Sequence, residues 1–388
     1  MKVLYIGGDS LATGASFSMA KLIEEEEKLG IDVIPVVHKG NTHRLLNEMG
    51  KKHYVVNAWS WMINNDAPWI KMFLFRLIKE TLNIRCYFQY RKIIKNESPD
   101  IVHINALTIY TGSQAAIHSK KPLVWHIREM MEEDLNGHFW SKRQAYNLMK
   151  KADCFIAISK CVEKKYINIV GKNRIQCIYN GVDKNLYYNE NHTVLTGDKI
   201  VLTMAGRITR EKGQIQCLKS LIPLLKENEN IILRFAGTGN KEIIEELIRI
   251  RDENRLLESQ VQMLGFVKEM NQLWNQTDIA IIYSRFEAFG RVTVEAKMAG
   301  ALVVGFDSGG TTELIEDGVN GYLFDEKKCT LYDVVKKALI DVEKTRKIAK
   351  NGREMASNIF TSENNAKQVC QLYEKILKKD KRDGVEDR

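Results

Sequence analysis

Ser284-Arg285-Phe286-Glu287-Ala288-Phe289-Gly290-Arg291-Val292-Thr293-Val294-Glu295 sets two glutamates eight positions apart. Before it, Asp278-Ile279-Ala280-Ile281-Ile282-Tyr283 is an apolar run of strand length. After it, residues 292–299 carry helical spacing and stop at Gly300. The stretch therefore reads strand, loop, helix, with Glu287 in the loop and Glu295 a turn inside the helix. Gly290 lets the backbone come close to a ligand. The N–H groups of Arg291 and Val292 are helix-start donors aimed at the same space. An anion fits there with a carboxylate on either side. An ionised carboxylate accepts hydrogen bonds from two neighbouring hydroxyls, which suits a sugar. The plainer alternative is one solvated glutamate and one on a helix surface.

The rest of the second half repeats this pattern. Residues 199–204 form a strand entering Ala205-Gly206-Arg207-Ile208-Thr209-Arg210-Glu211-Lys212-Gly213, with a helix following at 214–226. Arg207 can fork onto phosphate oxygens, while Lys212 supplies a point charge from the far end of the loop. Strands at 231–236, 261–264 and 301–306 lead into Gly237-Thr238-Gly239, Gly265-Phe266 and Ser308-Gly309-Gly310-Thr311. A single glycine of this kind marks a turn and no more. Glycine-bearing loops in one phase build a sheet rim suited to a nucleotide's phosphates.

The first half opens with a strand at 3–6, Gly7-Gly8, a loop through Gly14, a helix at 17–29 and a strand at 31–37, which is a βαβ unit. The loop lacks G-x-G-x-x-G, which argues against a nicotinamide or flavin site; approach of Gly14 to a phosphate fits better. Strands at 100–104 and 122–125 follow, the second delivering His126-Ile127-Arg128-Glu129 at its carboxyl end. Ligands of open α/β sheets sit outside those ends, although a lone histidine is often structural. Strands at 152–158 and 175–179 and the turn Asn180-Gly181 complete the half. A polar crossover spans 184–198, and the tail carries a helix at 366–379.

Residues 51–100 differ in texture. Trp59, Trp61, Trp69, Phe73, Phe75, Tyr87, Phe88 and Tyr90 are interleaved with nine Lys/Arg against four Asp/Glu. The segment is either a core-packed helix with a basic outer face or a surface for lipid.

At 388 residues the chain is long for one core, so two domains are expected. A 44% apolar and 28% charged composition marks a globular protein, and a net charge of +9 favours anionic partners. The seven cysteines form no C-x-x-C pair, which argues against a disulfide framework or a zinc site and fits a reducing compartment. The first residues run directly into a strand, and no apolar run reaches membrane-span length. The expected location is the cytoplasm, with peripheral attachment to the inner face of the membrane.

Gly206-Arg207 with Lys212-Gly213, Gly237-Thr238-Gly239, Gly265-Phe266, Glu287 and Glu295 around Phe289-Gly290, and Gly309-Gly310 with Glu313 together resemble the retaining glycosyltransferases of family 4. Gly14, His126 and Asn180-Gly181-Val182-Asp183 extend the resemblance over residues 1–375. His126-Ile127-Arg128-Glu129 is similar to a subset that builds bacterial surface polysaccharides. The resemblance implies an α/β fold of GT-B architecture, two Rossmann-like domains with parallel sheets facing across a cleft. Residues 1–187 would take the acceptor and 188–363 the nucleotide sugar, with a helix near 364–380 packing back on the first domain.

Carried over by position, Arg207 and Lys212 would hold the donor diphosphate beside Phe289 and the backbone of Gly290, Arg291 and Val292. Glu295 would take the ribose and Glu287 the transferred sugar, and His126 would reach that sugar from the other domain. Gly14 would touch the diphosphate; Gly237, Gly265 and Phe266 would complete the donor site near the base. The resemblance implies a hexosyltransferase-type enzyme with no metal and no cofactor beyond the donor substrate, a UDP-sugar being favoured. The acceptor would be a glycan or a lipid-linked glycan, with no nucleic acid as partner. Two rivals are a nucleotide-sugar epimerase and a catalytically silent subunit that binds glycans. The spacing of Glu287 and Glu295 argues against the first, and retention of Arg207, Lys212 and Glu287 against the second.

Overall fold

The computed structural model describes residues 1–7, 14–65 and 69–386. The chain forms two compact units, one of Met1–Gly181 with Ser362–Arg388 and one of Val182–Thr361. Its strands are β1 (Lys2–Gly7), β2 (Asp32–Val37), β3 (Tyr54–Val55), β4 (Met62–Asn64), β5 (Ile101–Asn105), β6 (Leu123–Ile127), β7 (Gly137–Phe139), β8 (Cys154–Ala157) and β9 (Ile175–Cys177) in the first unit. The second holds β10 (Ile200–Ala205), β11 (Ile231–Ala236), β12 (Val261–Gly265), β13 (Ile279–Ile282), β14 (Leu302–Phe306) and β15 (Tyr322–Phe324).

Both main sheets are parallel, because each apolar run is returned by a helix to the same end and is buried on both faces. Their orders are β3-β2-β1-β5-β6-β8-β9 and β12-β11-β10-β13-β14-β15, with β4 and β7 forming a small antiparallel pair. In each sheet the order reverses beside the first strand, β1 or β10. The loops there leave the carboxyl ends in opposite directions and open a place for a ligand.

The expected strands and the main helices are present, with shifted ends. The first helix spans Gly14–Lys28, three residues earlier than its apolar pattern suggests, with Gly14 exposed at its start. A Cβ added at Gly14 would meet nothing within 4 Å among the described residues. The loop positions 8–13, where a phosphate contact was expected to begin, lie outside the described residues.

The chain leaves the first unit at Gly181 and returns at Ser362, where the sequence suggested 187 and 364. Val182 bridges Thr361 and donates its N–H to the carbonyl of Phe360 at 2.8 Å, which ties the two crossings together inside the second unit. The C-terminal helix Ser362–Glu386 then places Ala366, Val369, Leu372 and Tyr373 in the core of the first unit, with Val3, Tyr5 and Ile23.

The basic aromatic segment is mostly one long helix, Trp69–Glu97. Asn83, Cys86, Tyr90 and Ile94 form its buried face. Its outer face is not simply basic: Leu77, Ile78, Ile84 and Phe88 are 57–64% exposed, at spacings that align them along the helix. Trp61 faces inward, stacked on Tyr110 at 4.7 Å and donating its indole N–H to the carbonyl of Leu107 at 2.6 Å. Trp59 is half-exposed, with the Lys79 ammonium 5.5 Å from its ring centroid. The side chains of Trp69, Lys71, Phe73 and Phe75 lie outside the described residues. Among the described residues no helix is long and apolar enough to cross a membrane.

Candidate functional site

In the second unit the loops that follow β10, β11 and β12 are knitted backbone to backbone. Gly206 donates to the carbonyl of Ala236 at 2.9 Å, Ile208 to that of Thr238 at 3.0 Å, and Gly237 to that of Gly265 at 2.7 Å. A Cβ at Gly237 would stand 1.9 Å from the Gly206 oxygen, and one at Gly239 would stand 2.1 Å from that of Ile208. These two glycines are thus demanded by neighbouring protein, before any ligand is considered. Arg207 extends an exposed guanidinium from this rim, and Phe266, three-quarters exposed, stands at its β12 end.

Lys212 closes the β10 loop toward the strand–loop–helix of β13. Its Nζ donates to Glu287 Oε1 at 2.6 Å, across 75 positions of sequence. The prospective phosphate ligand and the prospective sugar ligand are therefore ion-paired with each other. The loop after β14 fixes Glu287 from below. Gly310 donates its N–H to the Glu287 carbonyl at 2.7 Å, and a Cβ at Gly309 would lie 2.9 Å from that oxygen.

Gly290 has φ of +88° and opens the helix Arg291–Met298 with no side-chain cap. The helix-start amides of Arg291 and Val292 stand where the sequence put them, at the carboxyl end of β13. Two side chains here are engaged within the protein. Phe289 turns inward, buried against Phe360 at 5.8 Å between ring centroids, so only its backbone lies along the site. Arg291 folds back along its helix, and its Nε donates to Glu295 Oε1 at 2.6 Å. Glu295 is 4% exposed, and the Tyr187 hydroxyl bonds with both members of the pair. Burial alone would lower the basicity of Arg291; Glu295 and Tyr187 more than offset it and hold the guanidinium charged. One oxygen of Glu295 is thereby occupied, while a carboxylate has lone pairs on both.

His126, the next-to-last residue of β6, belongs to the first unit and is fully buried. Its Nδ1 lies 3.1 Å from His103 Nε2 and 3.4 Å from Arg128 Nη2. Arg128 is itself held by Asn105 Oδ1 and Asn180 Oδ1, each at 2.5 Å. Burial, then the Arg128 charge, pushes both imidazoles well below their usual range, so each is neutral near pH 7. Among the described residues His126 Nε2 has no hydrogen-bond partner.

Sequence reading missed His103, Arg128, Tyr187 and the Lys212–Glu287 pairing. A histidine in the middle of the apolar run Ile101-Val102-His103-Ile104 was the available signal for the first. Among the described residues no three metal-ligating side chains converge.

The family model "Glycosyl transferases group 1" matches residues 189–355, and "Glycosyltransferase Family 4" matches residues 12–186. Two parallel-sheet domains of these two types define a GT-B glycosyltransferase, and the chain is one of the family-4-like kind. N-acetyl-alpha-D-glucosaminyl L-malate synthase of Bacillus anthracis is 24% identical over 393 residues, covering 91% of this chain and 98% of that protein. The capsular polysaccharide biosynthesis glycosyltransferase CapM of Staphylococcus aureus is 22% identical over 289 residues, covering 69% and 74%. In fold, the chain matches Anabaena HepE crystallised with UDP-glucose at a TM-score of 0.78, with 23% identity over 97% of this chain and all of that one.

Proposed function

We propose that this glycosyltransferase moves a hexose from a nucleotide diphosphate sugar, a UDP-sugar by preference, to a glycan or lipid-linked acceptor with retention of anomeric configuration. The observation that carries the reading is the convergence of Arg207, the Lys212–Glu287 pair, the Gly290 helix start and buried Glu295 along one rim of the second unit. Cationic groups and helix-start amides suit a diphosphate, and flanking carboxylates suit hydroxyls. The capsular polysaccharide relative supports assembly of cell-surface polysaccharide as the setting.

In the proposed reaction the bond between the anomeric carbon and the diphosphate oxygen breaks as the acceptor oxygen attacks from the same face. The acceptor's proton passes to the departing phosphate oxygen. Charge grows on the diphosphate as the bond stretches, and Arg207 and Lys212 bind that charge more strongly than they bind the donor. When the phosphate draws Lys212, Glu287 is released to the sugar hydroxyls, so the ion pair exchanges one set of partners for another. Glu295 holds the ribose, with Arg291 and Tyr187 fixing its rotamer. His126 offers its Nε2 to a hydroxyl of the sugar. Gly14, Gly237, Gly265 and Phe266 border the donor.

The test is transfer of radiolabel from a panel of nucleotide sugars to glycan acceptors, with the new linkage read by NMR. Turnover is expected to survive EDTA, because Arg207 and Lys212 supply the positive charge. Loss of activity in EDTA with recovery on adding magnesium or manganese would overturn that account.

The proposed location is the inner face of an anionic membrane, reached through the helix Trp69–Glu97. Its exposed Leu77, Ile78, Ile84 and Phe88 lie beside Arg76, Lys79 and Arg85. That pairing of apolar and cationic groups matches an acyl–headgroup boundary, each cation adding about 1 kcal/mol near such a surface. Co-sedimentation with anionic vesicles should exceed that with neutral ones and fall with salt. It should also fall when Arg76 and Lys79 are reversed in charge. Equal recovery with both vesicle types would show that the face is only solvated.

A further inference from the structure

Tyr5 on β1, His103 on β5 and His126 on β6 stand on one face of the first sheet, because the parallel registers pair Tyr5 with His103 and Asn105 with His126. Tyr5 stacks on the His103 ring at 4.3 Å between centroids. Two helices close over that face. One supplies Glu26, fully buried, whose Oε1 is 2.8 Å from the Tyr5 hydroxyl. The C-terminal helix supplies Tyr373, whose hydroxyl is 2.8 Å from that of Tyr5 and 2.5 Å from His103 Nδ1. The next link is His103 Nε2 to His126 Nδ1 at 3.1 Å. Glu26, Tyr5, Tyr373, His103 and His126 thus form one buried line, with Glu26 also bonded to Tyr373 and Arg128 beside His126. It begins at a carboxyl and ends at an imidazole nitrogen with no protein partner among the described residues.

The protons in this line can be counted. Each phenol carries one, and each neutral imidazole carries one. Tyr5 donates to Glu26 Oε1 when the glutamate is ionised. With a proton on that oxygen the link turns round, and five protons serve four links: Glu26 donates to Tyr5, Tyr5 to Tyr373, Tyr373 to His103 Nδ1, and His103 Nε2–H to His126 Nδ1. The remaining proton sits on His126 Nε2. If Glu26 is ionised, every link reverses; His126 then carries its proton on Nδ1 and presents a bare Nε2. Arg128 breaks the tie, since its Nη2 is a donor 3.4 Å from His126 Nδ1 and opposes a second donor there.

We propose that Glu26, Tyr5, Tyr373 and His103 are positioning residues that set the hydrogen-bond polarity of His126, holding it as an Nε2–H donor while Glu26 keeps its proton. The proposal rests on the reading of His126 as a ligand of the transferred sugar. Tyr373, the middle link, comes from the last helix, after the chain has returned to the first unit.

The groups facing Glu26 agree. Tyr5 comes from β1, Tyr373 and Cys370 from the C-terminal helix, Glu27 from its own helix, and Arg128 from the segment after β6. Burial is the largest influence and lifts the Glu26 carboxyl to about 8, against the opposing pull of Tyr5, Tyr373 and Arg128. The sign follows. Below the unfolded carboxylate value the proton is bound in both states and the native contribution is complete; as pH rises through about 8 that contribution is lost. Donor polarity at His126 is lost over the same step.

The decisive experiment is long-range nitrogen–proton NMR of the histidines in the full chain, with His126 assigned through His126→Asn. Wild type should show the Nε2–H form well below pH 8 and lose it well above, whereas Glu26→Gln, which donates to Tyr5 at any pH, should keep it throughout. Tyr373→Phe, which cuts the line between Glu26 and His103, should abolish the pH step. A wild-type Nδ1–H form at low pH, or a pH step that persists in Glu26→Gln, overturns the proposal. Transfer activity supplies the second readout. Wild-type kcat/KM should fall roughly fivefold through the step, as for one lost hydrogen bond, and Glu26→Gln should abolish that fall. Turnover without such a limb overturns the positioning role. Absence of any sugar transfer, with the NMR result intact, sinks the functional reading and leaves the polarity relay standing.

Discussion

Replacing Arg207 or Lys212 with alanine should lower turnover by roughly 10²–10³-fold, the range seen when one preorganised group that stabilises developing charge is removed. The two variants should differ in stability. Arg207 is exposed, and its carbonyl, which accepts from Gln214 Nε2 at 2.9 Å, survives the change. Its loss should move folding stability by no more than about 0.5 kcal/mol, as for a surface substitution. Lys212 is partly buried, and its removal strips Glu287, 13% exposed in its side chain, of its counter-ion. That variant should melt lower and also misplace the sugar ligand. Steady-state kinetics at saturating donor, beside a thermal melt, checks both statements. Wild-type turnover in either variant would remove that residue from the leaving-group site.

Glu295→Gln should produce the largest loss of stability among the site variants and should also weaken binding of the free nucleoside diphosphate. The glutamate lies in a buried cluster with Arg291 and Tyr187, so neutralising it leaves the guanidinium its hydrogen bonds and takes away its counter-charge. Breaking a buried pair from one side costs about 3–5 kcal/mol, far more than the pair is worth against an apolar replacement. The ribose loses its anionic acceptor in the same step. Glu287→Gln is predicted to behave differently. It frees Lys212 for phosphate, so nucleotide affinity should hold or rise while sugar transfer falls. Titration calorimetry with UDP on both variants reads the contrast. The reverse pattern would mean that the two carboxylates have exchanged roles.

Much of the fold was legible because its signals are local. Apolar runs such as Ile231–Ala236 read as buried strands, and this one is followed by Gly237, whose freedom the structure then uses. Gly290 was read as a loop-to-helix junction and has the left-handed backbone that such a junction needs. The Arg291–Glu295 pair was also within reach, since four residues is one helical turn, but both residues had been assigned to a ligand. The Lys212–Glu287 pair was not, because nothing local links a loop after one strand to a loop after another. The Glu26–Tyr373 line lay further out of reach. It depends on two strand registers and on a helix that returns from the far end of the sequence. The outer face of the helix Trp69–Glu97 was legible only in part, because composition does not say which positions face out. Its exposed face joins the aliphatic Leu77, Ile78 and Ile84 to Phe88, whereas Tyr90 serves the core.

The central claim is transfer from a nucleotide sugar at the Arg207–Lys212–Glu287 rim with the anomeric configuration kept. It is tested most directly by following UDP release together with the anomeric proton of the new glycoside, by NMR, across a panel of glycoside acceptors. The account predicts UDP formed in step with a glycoside of the donor's own configuration, and both formed roughly 10²–10³-fold more slowly by Arg207→Ala. A glycoside of inverted configuration, or free sugar released while no acceptor is consumed, would contradict it.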